Sequence, residues 1–246
     1  MKKHLILAGL LFSASASFAQ ITPDASGFGP LPAATFGGTG IPNNAVAQTT
    51  SNGVTLGLTA TPRFGSPAVT NDGAGTFFAQ AGGYPGSPST ALWNFDYYIG
   101  NSVPTTGFND AISKYNYRLF YDFNPAVGNI QSTHGYFSLL GVAATAVDPI
   151  QDSYNLGFAF PPSSVAAGTF RPITTFNPNS LGEYTFKLAA YTTTFSNIGI
   201  PNFYGAEAFS TSMVVSAIPE PGEWAMMLAG LGVVSMIARR RRKVTA

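Results

Sequence analysis

One histidine, His134, is available for acid–base chemistry beyond residue 19 of this 246-residue chain. A Ser-His-Asp triad would have to use it, with Asp148 or Asp152 orienting the imidazole ring. The chain has no cysteine, which excludes thiol catalysis, iron–sulfur clusters and cysteine-ligated zinc. No Gly-x-Ser-x-Gly turn presents a serine nucleophile, and one histidine cannot form a His-x-x-x-His metal motif. The residue types therefore favour a plain loop role for His134 and a protein that is not an enzyme.

Two further chemistries depend on the aspartates. Asp96, Asp110 and Asp122 could supply the carboxylate pair of a glycoside hydrolase, but their spacing carries no signature of one. Calcium accepts carboxylate, amide and backbone oxygens, so oxygen-rich turns offer an alternative. The side chains near turns that fit it are Asp110, Asp122, Asn124, Asp148 and Asp152. We interpret these side chains as solvated turn residues and expect no cofactor. A calcium site is the alternative.

Aromatic side chains are abundant and charges are few, with 20 Phe, 11 Tyr and 9% charged residues. Exposed aromatic rings stack on sugars in carbohydrate-binding faces. Tyr98, Phe120 and Tyr191 fall on the faces opposite the main apolar sets of their strands. They form either such a stacking surface or a second buried layer, and we favour the buried layer.

The segments that must position these side chains alternate apolar and polar residues with period two, which is typical of half-buried strands. They lie at 54–58, 93–99, 115–123, 137–139, 156–160, 184–188 and 213–217. No stretch between the two ends of the chain has a convincing helical period. The pattern predicts an all-β ectodomain over 49–217, an antiparallel β-sandwich of immunoglobulin-like or jelly-roll type.

One turn sharpens the sandwich prediction. Gly182 precedes Tyr184, and Phe186 follows two residues later, as in the tyrosine corner of immunoglobulin-like sandwiches. The Tyr184 hydroxyl would bond back to the preceding loop, and Phe186 would fill the core. An ordinary strand with an edge tyrosine is the alternative.

The N-terminus predicts export. Lys2 and Lys3 precede an apolar stretch at 5–12, and small residues precede a cleavage site between Ala19 and Gln20. Residues 1–19 are therefore interpreted as a signal peptide, followed by a Gly/Pro-rich irregular segment over 20–48. Between residues 20 and 217, five basic side chains stand against nine acidic ones, a net charge of −4. This balance excludes a basic nucleic-acid surface.

The C-terminal segment 218–246 combines a short motif, an apolar run and a basic stop. Pro219, Glu220 and Pro221 form the motif, and the prolines hold it extended. The fifteen-residue run over 224–238, which begins at Trp224 and is apolar apart from Ser235, predicts one short transmembrane helix of about 22 Å. The basic stop at 239–243 would stay in the cytoplasm. It contains Arg239, Arg240, Arg241 and Arg242.

This order of parts resembles the PEP-CTERM sorting signal of exported bacterial proteins, and the resemblance covers about the last 29 residues. It implies that the membrane enzyme exosortase recognises Pro219, Glu220 and Pro221 as substrate residues. It also implies an inner-membrane intermediate that ends at the cell surface or in the extracellular matrix. The role expected there is non-catalytic and associated with exopolysaccharide or biofilm.

The exported region admits two other functions. A carbohydrate-binding module on the same sandwich is the alternative to a structural matrix role. The tail is also labelled the C-terminal domain of ice-binding proteins, but the exported region lacks a regular Thr-x-Thr repeat on one flat face. Ice binding is therefore not favoured.

Overall fold

The computed structural model describes most of the chain between residues 20 and 235. Its described ranges are 20–65, 67–102, 111–139, 149–158, 175–195, 201–202, 204–220, 222 and 226–235. Several predictions therefore lie outside the described residues. These concern the signal peptide at 1–19 with Ala19, and Asp110, Asp148, Phe160, Pro221, Trp224, Arg239, Arg240, Arg241 and Arg242.

Two large sheets dominate the fold, which is mostly β as predicted. The first has five antiparallel strands, and its spatial order is β1, β2, β3, β8, β11. The bounds are β1 Gly27–Gly29, β2 Val46–Ser51, β3 Val54–Pro62, β8 Trp93–Asn101 and β11 Ile150–Tyr154.

The second sheet has six strands in the order β10, β9, β12, β15, β5, β4. The bounds are β4 Thr70–Asn71, β5 Thr76–Gln80, β9 Tyr115–Tyr121, β10 Gly135–Ser138, β12 Gly182–Thr192 and β15 Glu207–Ile218. Strands β15 and β5 pair in parallel, while the other pairs in this sheet are antiparallel. The prediction of a purely antiparallel arrangement is wrong at this pair, because β5 reaches β15 through a long crossover rather than a hairpin.

Smaller elements complete the described structure. Two ribbons pair β6 with β7 and β13 with β14. Their bounds are β6 Gly83–Tyr84, β7 Ser87–Ala91, β13 Thr194–Phe195 and β14 Pro201–Asn202. Short 3₁₀ turns occur at Arg63–Gly65, Ile112–Lys114 and Gln131–Thr133, and a ten-residue helix runs over 226–235. Within these described ranges, no helix reaches the length and apolarity that a membrane crossing requires.

One hydrophobic core joins the two large sheets. The inward side chains of the first sheet include Leu56, Leu58 and Phe95, and those of the second include Leu119 and Phe186. All five are completely buried. Because side chains alternate along a strand, each sheet presents one apolar face to the other, and burial of these faces is the main stabilising term.

The outer face of the first sheet is covered by residues 31–45, part of the segment predicted as irregular. Phe36 inserts against Val46 and Tyr98 and is completely buried. The Gln151 side chain holds this segment by accepting hydrogen bonds from the backbone N–H groups of Thr35 and Phe36, at 2.8 and 2.7 Å. Strand β3 is therefore buried on both faces.

The strand predicted over 156–160 is wrong in its described part. Residues 156 and 157 form a turn, and the strand of this region is β11, which ends at Tyr154. The Asn155 side chain explains the turn. Its oxygen accepts from the N–H of Ala91 at 2.9 Å and from that of Gly157 at 3.1 Å. This network fixes the chain as it leaves β11.

Candidate functional site

The Pro-Glu-Pro segment begins directly after the last strand of the second sheet. Strand β15 ends at Ile218, whose carbonyl still accepts a hydrogen bond from the Ala81 N–H at 2.8 Å. Pro219 is half-buried, and Glu220 is exposed. The last strand of this sheet therefore ends two residues before an exposed carboxylate. Of the three residues predicted to form the sorting signal, Pro219 and Glu220 lie within the described residues.

His134 is a buried structural residue with both ring nitrogens engaged. Its Nδ1 lies 2.9 Å from the carbonyl oxygen of Ile130, and its Nε2 contacts the Thr185 hydroxyl. A carbonyl only accepts, so Nδ1 carries the proton and Nε2 accepts from Thr185. Burial lowers the pKa of His134 to about 4. The ring therefore joins Ile130, which precedes the 3₁₀ turn at Gln131–Thr133, to Thr185 of β12.

Asp122 closes the loop that follows β9 rather than facing a second carboxylate. Its oxygens accept from the backbone N–H of Asn124 at 2.8 Å and the side chain of Asn129 at 2.6 Å. Burial raises the pKa of Asp122 to about 6, although these hydrogen bonds oppose that rise. Among the described residues, no three His, Asp or Glu side chains form a group that could hold a metal ion.

Asp96 lies on the outer face of β8 and is completely buried. Thr61 donates its hydroxyl to Oδ2 at 2.8 Å, whereas Oδ1 has no hydrogen-bond partner within the described ranges. Burial raises the pKa of Asp96 to about 7, so the carboxyl is largely protonated below neutral pH.

The three aromatic residues considered for sugar stacking are buried. Tyr98 lies beneath residues 31–45 and is 3% exposed. Phe120 and Tyr191 are 6% and 8% exposed, and they pack with Tyr136 and Tyr204 on the outer face of the second sheet. These residues form the second buried layer, so the carbohydrate-binding alternative loses the stacking surface it required of them.

Arg118 lies within that outer layer. Its guanidinium carbon is 3.6 Å from the ring centroid of Tyr204 and 4.6 Å from that of Tyr136. Burial raises the pKa of the Tyr204 hydroxyl. The aromatic rings offer a favourable environment to a cation that has left water. Arg118 therefore holds the layer together.

A second arginine–aromatic cluster occurs at the end of β3, and sequence reasoning missed it. Arg63 is 6% exposed, and its guanidinium carbon lies 5.2, 4.7 and 4.7 Å from the ring centroids of Phe64, Tyr84 and Phe158. Its Nη1 donates to the Thr90 hydroxyl. Phe64 and Phe158 nevertheless remain 76% and 51% exposed. The only local signal for this cluster was the adjacent pair Arg63 and Phe64 at the end of a strand. Because Tyr84 and Phe158 come from distant segments, that signal did not reveal the cluster.

A cleft borders the same turn. Its volume is about 270 Å³, and Pro62 and Gly65 line it on the side of the Arg63–Gly65 turn. Asn44, Asn71 and Phe77 contribute to the remaining walls. The backbone of this turn therefore borders the cleft, whereas Arg63, Phe64 and Phe158 do not line it.

No family model, curated protein or solved structure matches this chain.

Proposed function

We propose that this protein is an exported, non-catalytic surface or extracellular-matrix protein that exosortase processes through Pro219, Glu220 and Pro221. The observation that carries the proposal is the exposed Glu220, two residues after the end of β15. A processing enzyme that reads an extended peptide needs such a segment outside the hydrogen-bonded sheet. Removal of the chain beyond it would leave every strand described here intact.

Within this proposal, residues 224–238 span the inner membrane before cleavage, and the basic stop at 239–243 remains in the cytoplasm. The apolar run is shorter than a typical permanent transmembrane anchor, because a bilayer core of about 30 Å needs about 20 helical residues. A transient intermediate suits this length. The ectodomain then continues to the cell surface or to a matrix rich in exopolysaccharide.

The finer architecture we propose for the ectodomain is an immunoglobulin-like sandwich. The Tyr184 hydroxyl donates a long hydrogen bond, 3.4 Å, to the carbonyl of Asn177 in the preceding loop. A tyrosine corner makes the same kind of bond back to upstream backbone. Trp93 packs edge-on against Phe186, with ring centroids 6.2 Å apart. In immunoglobulin-like domains, a buried tryptophan packs against the residue two positions after the corner tyrosine. Trp93 and Phe186 match these two positions.

The experiment compares the native protein with Glu220→Ala in its own cells, by intact mass and by membrane fractionation. The proposal expects a wild-type product outside the membrane that lacks the chain after the Pro-Glu-Pro segment. Glu220→Ala should accumulate as the longer, membrane-bound form. Glu183→Ala, which removes a carboxylate inside the folded region, is the matched control and should be processed normally. A wild-type protein that keeps residues 224–246 and stays in the membrane would contradict the proposal.

A carbohydrate-binding module is the second candidate, and one observation favours it. Phe64 and Phe158 expose their rings 5.2 and 4.7 Å from the guanidinium carbon of Arg63, whereas Tyr98, Phe120 and Tyr191 are buried. This role is compatible with the sorting proposal, since a matrix protein can be retained by the polymer around it.

A further inference from the structure

We infer that Arg63, Phe64 and Phe158 form a binding site for an acidic polysaccharide, in which a sugar carboxylate pairs with the guanidinium and the rings contact pyranose faces. The inference deepens the carbohydrate-binding candidate and rests on the proposed location in a glycan matrix. Three locally unfavourable features coincide at this place, and each is explained by a ligand of this class.

The first feature is the backbone of Phe64. Three non-glycine residues of the described chain have a positive φ, namely Phe36, Asn52 and Phe64. Asn52 shares the two-residue turn between β2 and β3 with Gly53, a position that favours asparagine. Phe36 buries its ring completely. Phe64, at φ 55° and ψ 29°, is strained without burial of its ring. Such strain in a bulky residue is often maintained for function.

The second feature is apolar exposure. Phe64 is 76% exposed, and its ring centroid lies 5.1 Å from that of Tyr84. Phe158 is 51% exposed and lies over the same guanidinium. Two phenyl rings held open to solvent around one guanidinium offer flat apolar surface for a polymer chain.

The third feature is the charge of Arg63. The described residues contain one salt bridge, between Lys187 and Glu207, so Arg63 has no carboxylate partner among them. The Thr90 hydroxyl accepts from Nη1, which leaves further donors of the guanidinium fork for a ligand. A planar fork favours a carboxylate, and a desolvated cation pairs with it more strongly than an exposed one.

These features select the class of ligand. A neutral sugar would contact the rings and accept hydrogen bonds from the guanidinium but would leave its charge unpaired, and a simple anion would pair with the guanidinium but not use the rings. A uronic acid joins a carboxylate to an apolar ring face within one residue. The exported region carries a net charge of −4, so attraction to an acidic polymer must come from a local site such as this one.

The test measures binding of the full chain, purified in detergent micelles, to immobilised polygalacturonate and to immobilised dextran. We expect binding to polygalacturonate that weakens as salt rises, and no binding to dextran. Phe64→Gly should weaken binding at least about fivefold through loss of the ring, while its melting temperature stays equal or rises. Arg63→Lys should weaken binding similarly because the lysine cannot form the bidentate fork.

Two further variants keep the test decisive if Arg63→Lys folds poorly. Phe158→Ala removes a half-exposed ring and should also reduce binding, whereas Val127→Ala, at a 73% exposed position in another loop, should not. Absence of binding by the wild type would overturn the inference, as would equal binding to dextran or unchanged binding in Phe64→Gly and Phe158→Ala. Because purified protein is used, failure here leaves the cell fractionation of Glu220→Ala unaffected, and the two proposals fail separately.

Discussion

The ring of Phe95 stacks on the ring of Phe186, with centroids 4.7 Å apart and planes inclined by 28°. Phe95 belongs to β8 in the first sheet and Phe186 to β12 in the second, so the contact joins the two sheets. Both rings are completely buried. The stack therefore fixes how the two apolar faces meet.

Replacement of Phe186 by alanine should destabilise the fold by about 3–5 kcal/mol, because it opens a cavity that Phe95 and Trp93 cannot fill. Denaturant unfolding of the full chain measures the loss. Leu181→Ala, at a residue that is 53% exposed, is the control and should change stability by less than about 0.5 kcal/mol. Equal effects of the two substitutions would show that the Phe95–Phe186 contact is not central.

His134 should make the fold less stable as the pH falls. Its pKa is lowered from 6.5 to about 4 in the folded state, so between these values the unfolded chain binds the proton more readily. The contribution is complete above pH 6.5 and is lost as the pH falls towards 4, with a size on the order of 3 kcal/mol. His134→Gln, which keeps an acceptor for Thr185, should flatten this part of the stability–pH curve. An unchanged difference between wild type and variant from pH 7 to pH 4 would contradict it.

Asp96 should make the fold less stable as the pH rises, which is the opposite of the effect of His134. Its pKa is raised from 3.8 to about 7, so the folded state keeps a proton that the unfolded chain has already released. This advantage is complete below pH 3.8 and is lost as the pH rises through about 7. Asp96→Asn preserves an acceptor for the Thr61 hydroxyl and cannot ionise. We expect it to gain melting temperature relative to wild type at pH 8 compared with pH 5, and a constant offset would refute the assignment.

The hydrogen bond of the Tyr184 hydroxyl should contribute little to the free energy of unfolding. Tyr184→Phe removes a hydroxyl that lies 3.4 Å from the Asn177 carbonyl and should cost about 0.5 kcal/mol, the low end for a hydrogen bond. Tyr117→Phe is the matched comparison, since the Tyr117 hydroxyl bonds the Ile112 carbonyl at 3.0 Å. It should cost more, as measured by denaturant unfolding. A larger loss for Tyr184→Phe would reveal a stronger corner than the distance implies.

Gln151 should control the cover over the first sheet. Gln151→Ala leaves the N–H groups of Thr35 and Phe36 without their acceptor, and we expect residues 31–45 to open more often while the sheets persist. Hydrogen exchange should show faster exchange at Thr35 and Phe36, with strand β12 unchanged. Gln80→Ala, in β5, is the control and should leave these amides protected.

The strands that alternate strongly were predictable from local pattern. Strands β3, β8, β9, β10, β12 and β15 lie where the alternation placed them, and their inward residues form the common core. Tyr184 and Phe186 occupy buried positions as the turn before them predicted. A two-residue period is a property of the strand itself, so it is readable before any partner is known.

Other elements carried no such signal. Strand β5 reads Thr-Phe-Phe-Ala-Gln within a Gly/Pro-rich stretch, and β11 reads Ile-Gln-Asp-Ser-Tyr with few apolar residues. Their strand conformation depends on pairing with β15 and β8, which are distant in the chain. The same holds for the Arg63 cluster, where Phe64 is adjacent in sequence but the other two rings come from β6 and from the turn after β11.

By itself the sequence determined an all-β region, its strongest strands and the order of residues in the tail, because each depends on neighbours within a few residues. Tertiary structure decided which faces remain exposed. Tyr98 is buried because residues 31–45 fold over it, whereas Phe64, in the turn after β3, remains 76% exposed. Burial is a sum over the whole fold, so no local pattern of apolar residues can fix it.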